Sequence, residues 1–281
     1  MKTVVIPTRN DNYGMFLAER AIQCLNSMVE VFDEVIVVDW NSPHGVPLLE
    51  QIRDYIRPTG KIKNITVPKE FIFENDLSEC QPCCEVLARN VGIRRSTNEW
   101  IVSSNIDIIA TPFDESSLSE DILYTVPKYN VLENIHLIQL LSMETHQKIN
   151  TLISNKHLFE RMKTTEEVIP DDKFSLIVGC GDFQIAHRRL WDEIRGFEEF
   201  LCYRCFADTN VMVKAACCED YKTSILDIDI FHLEHKNNPY FWKKDSSTRR
   251  NEKKDAFDTY SRTMNEESWG FSDVEFETSI I

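Results

Sequence analysis

The sequence predicts an α/β fold: a mixed, mostly parallel sheet flanked by helices, followed by a smaller antiparallel region. Three observations carry this expectation. From residue 1 to 110, apolar strands alternate with amphipathic helical stretches. Those strands are continuous in hydrophobicity, as strands buried on both faces of a parallel sheet are. Each of three of them ends in a polar cluster, which is how open parallel sheets present ligand sites at their carboxyl ends.

Taken in order, Lys2–Ile6 reads as a buried strand and Pro7-Thr8-Arg9-Asn10 as the loop after it. Met15–Val29 places Phe16, Leu17, Ala21, Leu25, Met28 and Val29 at helical spacing. Glu34–Val38 is a second apolar strand running into Asp39-Trp40-Asn41-Ser42-Pro43, Val46–Ile56 the next helix, and Lys61–Val67 the next strand. Glu79–Arg95 reads as a helix leading into Glu99–Ala110, EWIVSSNIDIIA, where an apolar strand breaks into Ser103, Ser104, Asn105 and Asp107. Beyond it, Ile122–Val126 and Ile135–Leu141 are expected as strands of the antiparallel region. Leu152–Arg161, Arg189–Ile194 and Asp208–Cys218 are expected as helices, and Ile225–Phe231 as a last strand before His232-Leu233-Glu234-His235. No repeat or linker interrupts the chain, so 1–281 reads as one domain with a first half at 1–110, a second at 111–235, and a basic loop and tail at 236–281.

The 281 residues are 42% hydrophobic and 27% charged, the profile of an ordinary globular protein with a substantial core. No apolar run approaches the roughly 20 residues needed to span a bilayer, and no signal peptide is read at the start. The formal net charge of −15 excludes general nucleic-acid binding, which needs a basic surface. Nine cysteines, an odd number that includes the adjacent pairs Cys83–Cys84 and Cys217–Cys218, make a poor disulfide framework. They are read as reduced thiols in a cytoplasmic protein. The alternative is a four-cysteine zinc site from Cys80-Gln-Pro-Cys83 and Cys202-Tyr-Arg-Cys205, whose spacing suits tetrahedral coordination.

The chemistry concentrates at three strand ends, Thr8-Arg9-Asn10, Asp39-Asn41 and Asn105-Asp107, which converge on one crevice in a sheet of this kind. A carboxylate there suits a hard divalent cation such as Mg²⁺ or Mn²⁺. The chain has PTRNDNYG after its first strand and only eight glycines, so it lacks the GxGxxG of dinucleotide folds, and it has no GxxxxGK[ST] loop. Structural readings compete at each position: a capped turn for Asp107, a helix N-cap for Asp208, a solvated helix face for Arg89.

The order of features resembles the nucleotide-sugar-dependent glycosyltransferases of the GT-A fold, particularly the family-2 type. VVIPTRN resembles their opening strand and nucleotide-contacting loop, VIVVDWNSP their second strand, and LARNVGIRRSTNEWIVSSNID their "ARN-x-G" helix and metal-binding DxD strand. GCGDFQIAHRRLWDEIRGFEEF resembles the acceptor-side segment, CFADTNVMVKA the helix start that reads "ED-x-D", FHLEHKNNP the "H-x-x-H" that closes the metal site, and SWGF a late tryptophan-glycine. The resemblance implies a GT-A (Rossmann-like) sheet and transfer of a sugar from a UDP- or GDP-sugar to a hydroxyl acceptor such as a glycan, with inversion. It implies donor contacts from Pro7, Thr8, Arg9, Asp39, Asn41, Arg89, Asn105 and Asp107, and acceptor contacts from Asp182 and Trp191. Mn²⁺ or Mg²⁺ is implied on Asp107, His232 and His235, and Asp208 as general base.

Two positions depart from the family pattern. Asn105 replaces the first acid of DxD, which predicts weaker cation binding, because an amide oxygen ligates without charge. Ala207-Asp208-Thr209-Asn210 keeps only one acid of "ED-x-D". These departures favour one alternative, an inactive nucleotide- or carbohydrate-binding protein on the same fold. A sugar-phosphate nucleotidyltransferase is the other alternative, though its glycine-rich loop is missing after the first strand. The basic run Lys243–Lys254 is expected to close over the diphosphate as a lid.

Overall fold

The structure is a computed structural model. It describes residues 1–77, 82–131, 139–140, 142–162, 181–202, 206–218, 220–235 and 264–281, together with the backbone of 165–169 and 174–178. The main sheet has eight strands. Four of them are parallel: β1 (Lys2–Thr8), β2 (Glu34–Trp40), β3 (Ile62–Val67) and β4 (Trp100–Ser104), lying side by side in the order β3-β2-β1-β4. The chain winds outward from β1 to β3 and then returns to the other side of β1. This reversal opens a crevice at the carboxyl ends of β1 and β4.

Burial on both faces explains the continuous apolar runs. Val4, Ile6, Val35 and Val37 face helix α1 (Leu17–Val31), while Val5, Ile36 and Val38 face helix α4 (Glu85–Arg95). Two shorter helices, α2 (Leu48–Ile52) and α3 (Lys69–Glu74), lie between them in the chain. Gly92 lets α4 approach the sheet, because a Cβ there would lie 2.3 Å from Val5 Cγ1. The main sheet continues through β11 (Phe183–His187), antiparallel to β4, to β6 (Ile122–Thr125) and β12 (Lys222–Ile225). Its far edge is β14 (Glu277–Ile280), antiparallel to β3.

A second sheet runs in the order β5-β13-β7-β8, from β5 (Ile108–Ala110), β13 (Ile230–Leu233), β7 (Lys128–Val131) and β8 (Glu160–Arg161). The strands Thr165–Ile169 and Phe174–Val178 form an antiparallel pair. The sequence therefore predicts the mixed sheet with its smaller antiparallel region. Several elements differ in detail: the helix expected over Glu79–Arg95 begins at Glu85, and Ile122–Thr125, expected in the antiparallel region, joins the main sheet. The stretch Ile225–Phe231 is not one strand: β12 ends at Ile225 and β13 begins at Ile230, so the chain changes sheets between them. In Ile135–Leu141, expected as a strand, the two described residues Gln139 and Leu140 are helical, and the rest lie outside the described residues. The helix expected over Leu152–Arg161 spans Thr145–Asn155, and Glu160–Arg161 is strand.

The family-like motifs also act as internal pins. Asn90 in α4 donates to Phe197 O at 2.8 Å and accepts from Phe197 N at 2.8 Å. Arg95 donates to the carbonyls of Gly270, Phe271 and Val274 at 2.6–2.7 Å, fixing the SWGF stretch against α4. Cys202 is disulfide-bonded, which corrects the reading of all nine cysteines as reduced thiols and removes Cys202 from a thiolate zinc set. Cys80 and Cys205 lie outside the described residues, as does the basic run Lys243–Lys254. Among the described residues, no helix is long and apolar enough to cross a membrane.

Candidate active site at the sheet crevice

The crevice holds a cavity of about 460 Å³, lined by Pro7, Thr8 and Arg9 from the end of β1, by Asn105 and Asp107 after β4, and by Lys128, Asp182, His232 and His235. Strand register brings these residues together. Ile108 of β5 pairs with His232 of β13, and Leu233 N donates to Asp107 O at 2.9 Å, so the residue before β5 meets the histidine on β13. In the main sheet Ser104 pairs with Phe183, which sets Asn105 opposite Asp182.

Asp107, His232 and His235 form the centre. Their candidate ligand atoms lie within 4.8 Å of one another. His235 Nε2 is 3.1 Å from Asp107 Oδ2, and His232 Nε2 is 3.6 Å from Oδ1. Asp107 is 4% exposed, and its Oδ1 has no hydrogen-bond partner among the described residues. Burial alone would raise the Asp107 carboxyl, but the neighbouring His232, and then His235, hold it well below the usual carboxylate range. Burial pushes His232 down, yet Asp107 and Glu234 outweigh it and raise His232 to about 9. His232 Nδ1 lies 3.2 Å from Glu234 Oε1, the carboxylate support commonly found behind a metal-binding imidazole. His235 packs against Tyr13, with ring centroids 4.8 Å apart, and against Gly14, where a Cβ would lie 2.5 Å from its Nδ1.

Around this centre each carboxylate that lines the cavity, among the described residues, has a basic partner. Asp11 pairs with Arg9 at 2.7 Å and Glu85 with Arg89 at 3.3 Å. Arg20 Nε lies 4.0 Å from Asp107 Oδ2, and Lys128 Nζ is ion-paired with Asp182. Arg20 is buried beneath the loop after β1 and donates to the carbonyls of Tyr13 and Met15.

The expected site residues divide into those at the cavity and those behind it. Pro7, Thr8, Arg9, Asn105, Asp107, Asp182, His232 and His235 line it, and the buried Thr8 Oγ1 has no hydrogen-bond partner among the described residues. Asn105 is engaged at both ends of its amide: its oxygen accepts from Arg89 and its nitrogen donates to Asp182 Oδ1 at 2.5 Å. Arg89 is buried rather than on a solvated face. It donates to Ser103, to Ser104 O at 3.2 Å and to Asn105, bracing the strand end instead of lining the cavity. Asp39 is fully enclosed, and its Oδ2 accepts from Leu48 N at 2.9 Å. Burial raises it to about 6, against the hydrogen bonds from Ser42 and Leu48. Asn41 is in the left-handed region, with φ 52, and its carbonyl accepts from Arg9 Nε at 3.0 Å.

Trp191, expected on the acceptor side, is a core residue. It is 0% exposed, donates from Nε1 to Ile101 O at 3.1 Å and stacks on Phe197. Asp208 is not a helix N-cap, because the helix Ala207–Cys217 is entered from Phe206. It lies against Gly181, where a Cβ would come 2.3 Å from Asp208 Cβ, and beside Asp182. Burial and the Asp182 charge raise its carboxyl, against the Thr209 N–H and Arg89.

Lys128 and Arg20 are site residues that the sequence reading missed. Neither carries a motif; only strand pairing and helix packing bring them to the crevice.

No family model matches the chain, and no curated protein matches it by sequence. Among solved structures, that of GalNAc-T7 with UDP, GalNAc and Mn²⁺ is 13% identical, with a TM-score of 0.55, over 89% of this chain and 47% of that one. The mannosyltransferase PcManGT from Pyrobaculum calidifontis, in complex with GDP-Man and Mn²⁺, is 15% identical, with a TM-score of 0.53, over 97% of this chain and 68% of that one. The chain thus spans about half the length of the first and about two thirds of the second. At these identities the likeness establishes the fold, which is GT-A.

Proposed function

We propose that the chain is a glycosyltransferase that moves a sugar from a UDP- or GDP-sugar to a hydroxyl acceptor with inversion, helped by a divalent cation. The observation that carries this reading is the cluster of Asp107, His232 and His235 at the switch-point crevice of a GT-A sheet. The residues fit a cation: Asp107 Oδ1 is buried and lacks a hydrogen-bond partner among the described residues, and two imidazoles face the same carboxylate. One carboxylate with two imidazoles suits Mn²⁺ better than Mg²⁺, which prefers all-oxygen sites. Bound there, the cation would stabilise the charge of the departing diphosphate.

The chain's own groups have distinct tasks in this reading. Thr8, whose hydroxyl has no hydrogen-bond partner among the described residues, and Arg9, held by Asn41 and Asp11, face the nucleotide. Asp208 takes the proton from the acceptor hydroxyl, and its raised pKa makes it a stronger base than a free aspartate. Asp182, oriented by Asn105 and Lys128, faces the acceptor. Trp191 has no such role.

The test is release of free nucleotide from a panel of UDP- and GDP-sugars in the presence of Mn²⁺. Slow donor hydrolysis that disappears in Asp107→Asn is the expected result. Nucleotide binding without any turnover would favour an inactive binding protein, a reading supported by the engagement of Asn105 and the alanine at 207. No binding of any donor would reject both.

A further inference from the structure

Four acids line the cavity among the described residues, and each is ion-paired with a base: Arg9 and Lys128 line it too, while Arg20 and Arg89 stand behind its wall, so the acids and their partners sum to zero formal charge before either histidine is counted. This holds within a chain of net charge −15. Two residues produce the balance. At 105 an amide stands in place of an acid, and both of its ends are taken by Arg89 and Asp182. At 128 the first residue of β7 brings an ammonium to Asp182 at the cavity wall, where its charge is also felt by His232 and Glu234.

An acid at 105 and a neutral residue at 128 would leave the same set of acids and partners doubly negative, and a diphosphate would then enter only with a divalent cation beside it. As built, the cavity admits the anion unaided, and lysine is a standard point-charge partner for phosphate. We propose that Lys128 is a phosphate-binding residue that holds the nucleotide's diphosphate without a divalent cation, so that nucleotide binding and cation binding are separable in this chain. The inference rests on the donor reading above and deepens it: the cation serves the chemistry, and Lys128 serves the binding.

Calorimetric titration of UDP and GDP into the full chain, with Mn²⁺ and with EDTA, tests this. The wild type is expected to bind at least one of the two in EDTA within about tenfold of its affinity with Mn²⁺. Lys128→Met should lose about tenfold to a hundredfold in EDTA, the worth of a charge-assisted hydrogen bond, and clearly less with Mn²⁺. Lys128→Arg keeps the charge and the Asp182 pair, and should retain metal-free binding. Asn105→Asp sets a carboxylate against Asp182; it should weaken binding in EDTA while tightening binding of Mn²⁺ alone. Wild-type binding that requires Mn²⁺, or equal binding by wild type and Lys128→Met in EDTA, overturns the proposal. Failure of both nucleotides to bind even with Mn²⁺ would reject the donor reading itself, and the proposal with it.

Discussion

Asp39 offers a test of how the crevice is built, because it is a carboxyl enclosed in the core with few hydrogen bonds to offset its burial. It is 0% exposed; Oδ2 accepts the Leu48 N–H at 2.9 Å, and Oδ1 has no partner among the described residues. Burial raises its pKa from 3.8 to about 6. The folded protein therefore binds this proton more tightly than the unfolded chain does. Below about pH 4 both states are protonated and the group costs nothing. As pH rises to about 6 the unfolded chain ionises first, and folding stability falls. Two pKa units correspond to about 3 kcal/mol lost between about pH 4 and pH 7. Asp39→Asn keeps an oxygen for the Leu48 N–H and removes the titration. Urea unfolding of both proteins across this range should show the variant gaining up to about 3 kcal/mol on the wild type as pH rises. Parallel stability curves would refute the reasoning. Because Asp39 is enclosed, nucleotide affinity in the variant should stay within about threefold of wild type, a change of less than 1 kcal/mol.

Three further outcomes follow from the same geometry. Asp208→Asn should keep its fold and donor affinity while turnover falls about a hundred- to ten-thousand-fold, and NMR of the wild-type product should show an inverted anomeric centre. Gly14→Ala places a Cβ against His235 at a φ of +69, so Mn²⁺ affinity, read by titration, should drop about tenfold, with a backbone cost of about 1–2 kcal/mol in thermal unfolding. Trp191→Phe loses the bond to Ile101 O and should cost about 1 kcal/mol of stability, with unchanged donor hydrolysis, as its burial requires.

The β/α order of residues 1–110 was readable because buried parallel strands must be apolar on both faces, and Val4-Val5-Ile6 and Val35 to Val38 are apolar throughout. Local sequence could also propose Asp107, His232 and His235, since each follows or ends an apolar strand with ligand chemistry. It could not tell that Trp191 is core, because a tryptophan's neighbours are set by packing. Nor could it reveal the sheet change between Ile225 and Ile230, because Leu226 and Ile228 keep the stretch apolar across the break.

By itself, then, the sequence determined the sheet, its crevice and the residue types available there. Tertiary structure alone decided which of them act together. The pairing of Ile108 with His232 and of Ser104 with Phe183 sets residues more than 70 positions apart side by side, closing the Asp107–histidine cluster and joining Asn105 to Asp182. Lys128, Arg20 and Asp208 meet their neighbours in the same way. A side chain's charge is encoded locally, but its partner is fixed by register and packing between distant strands.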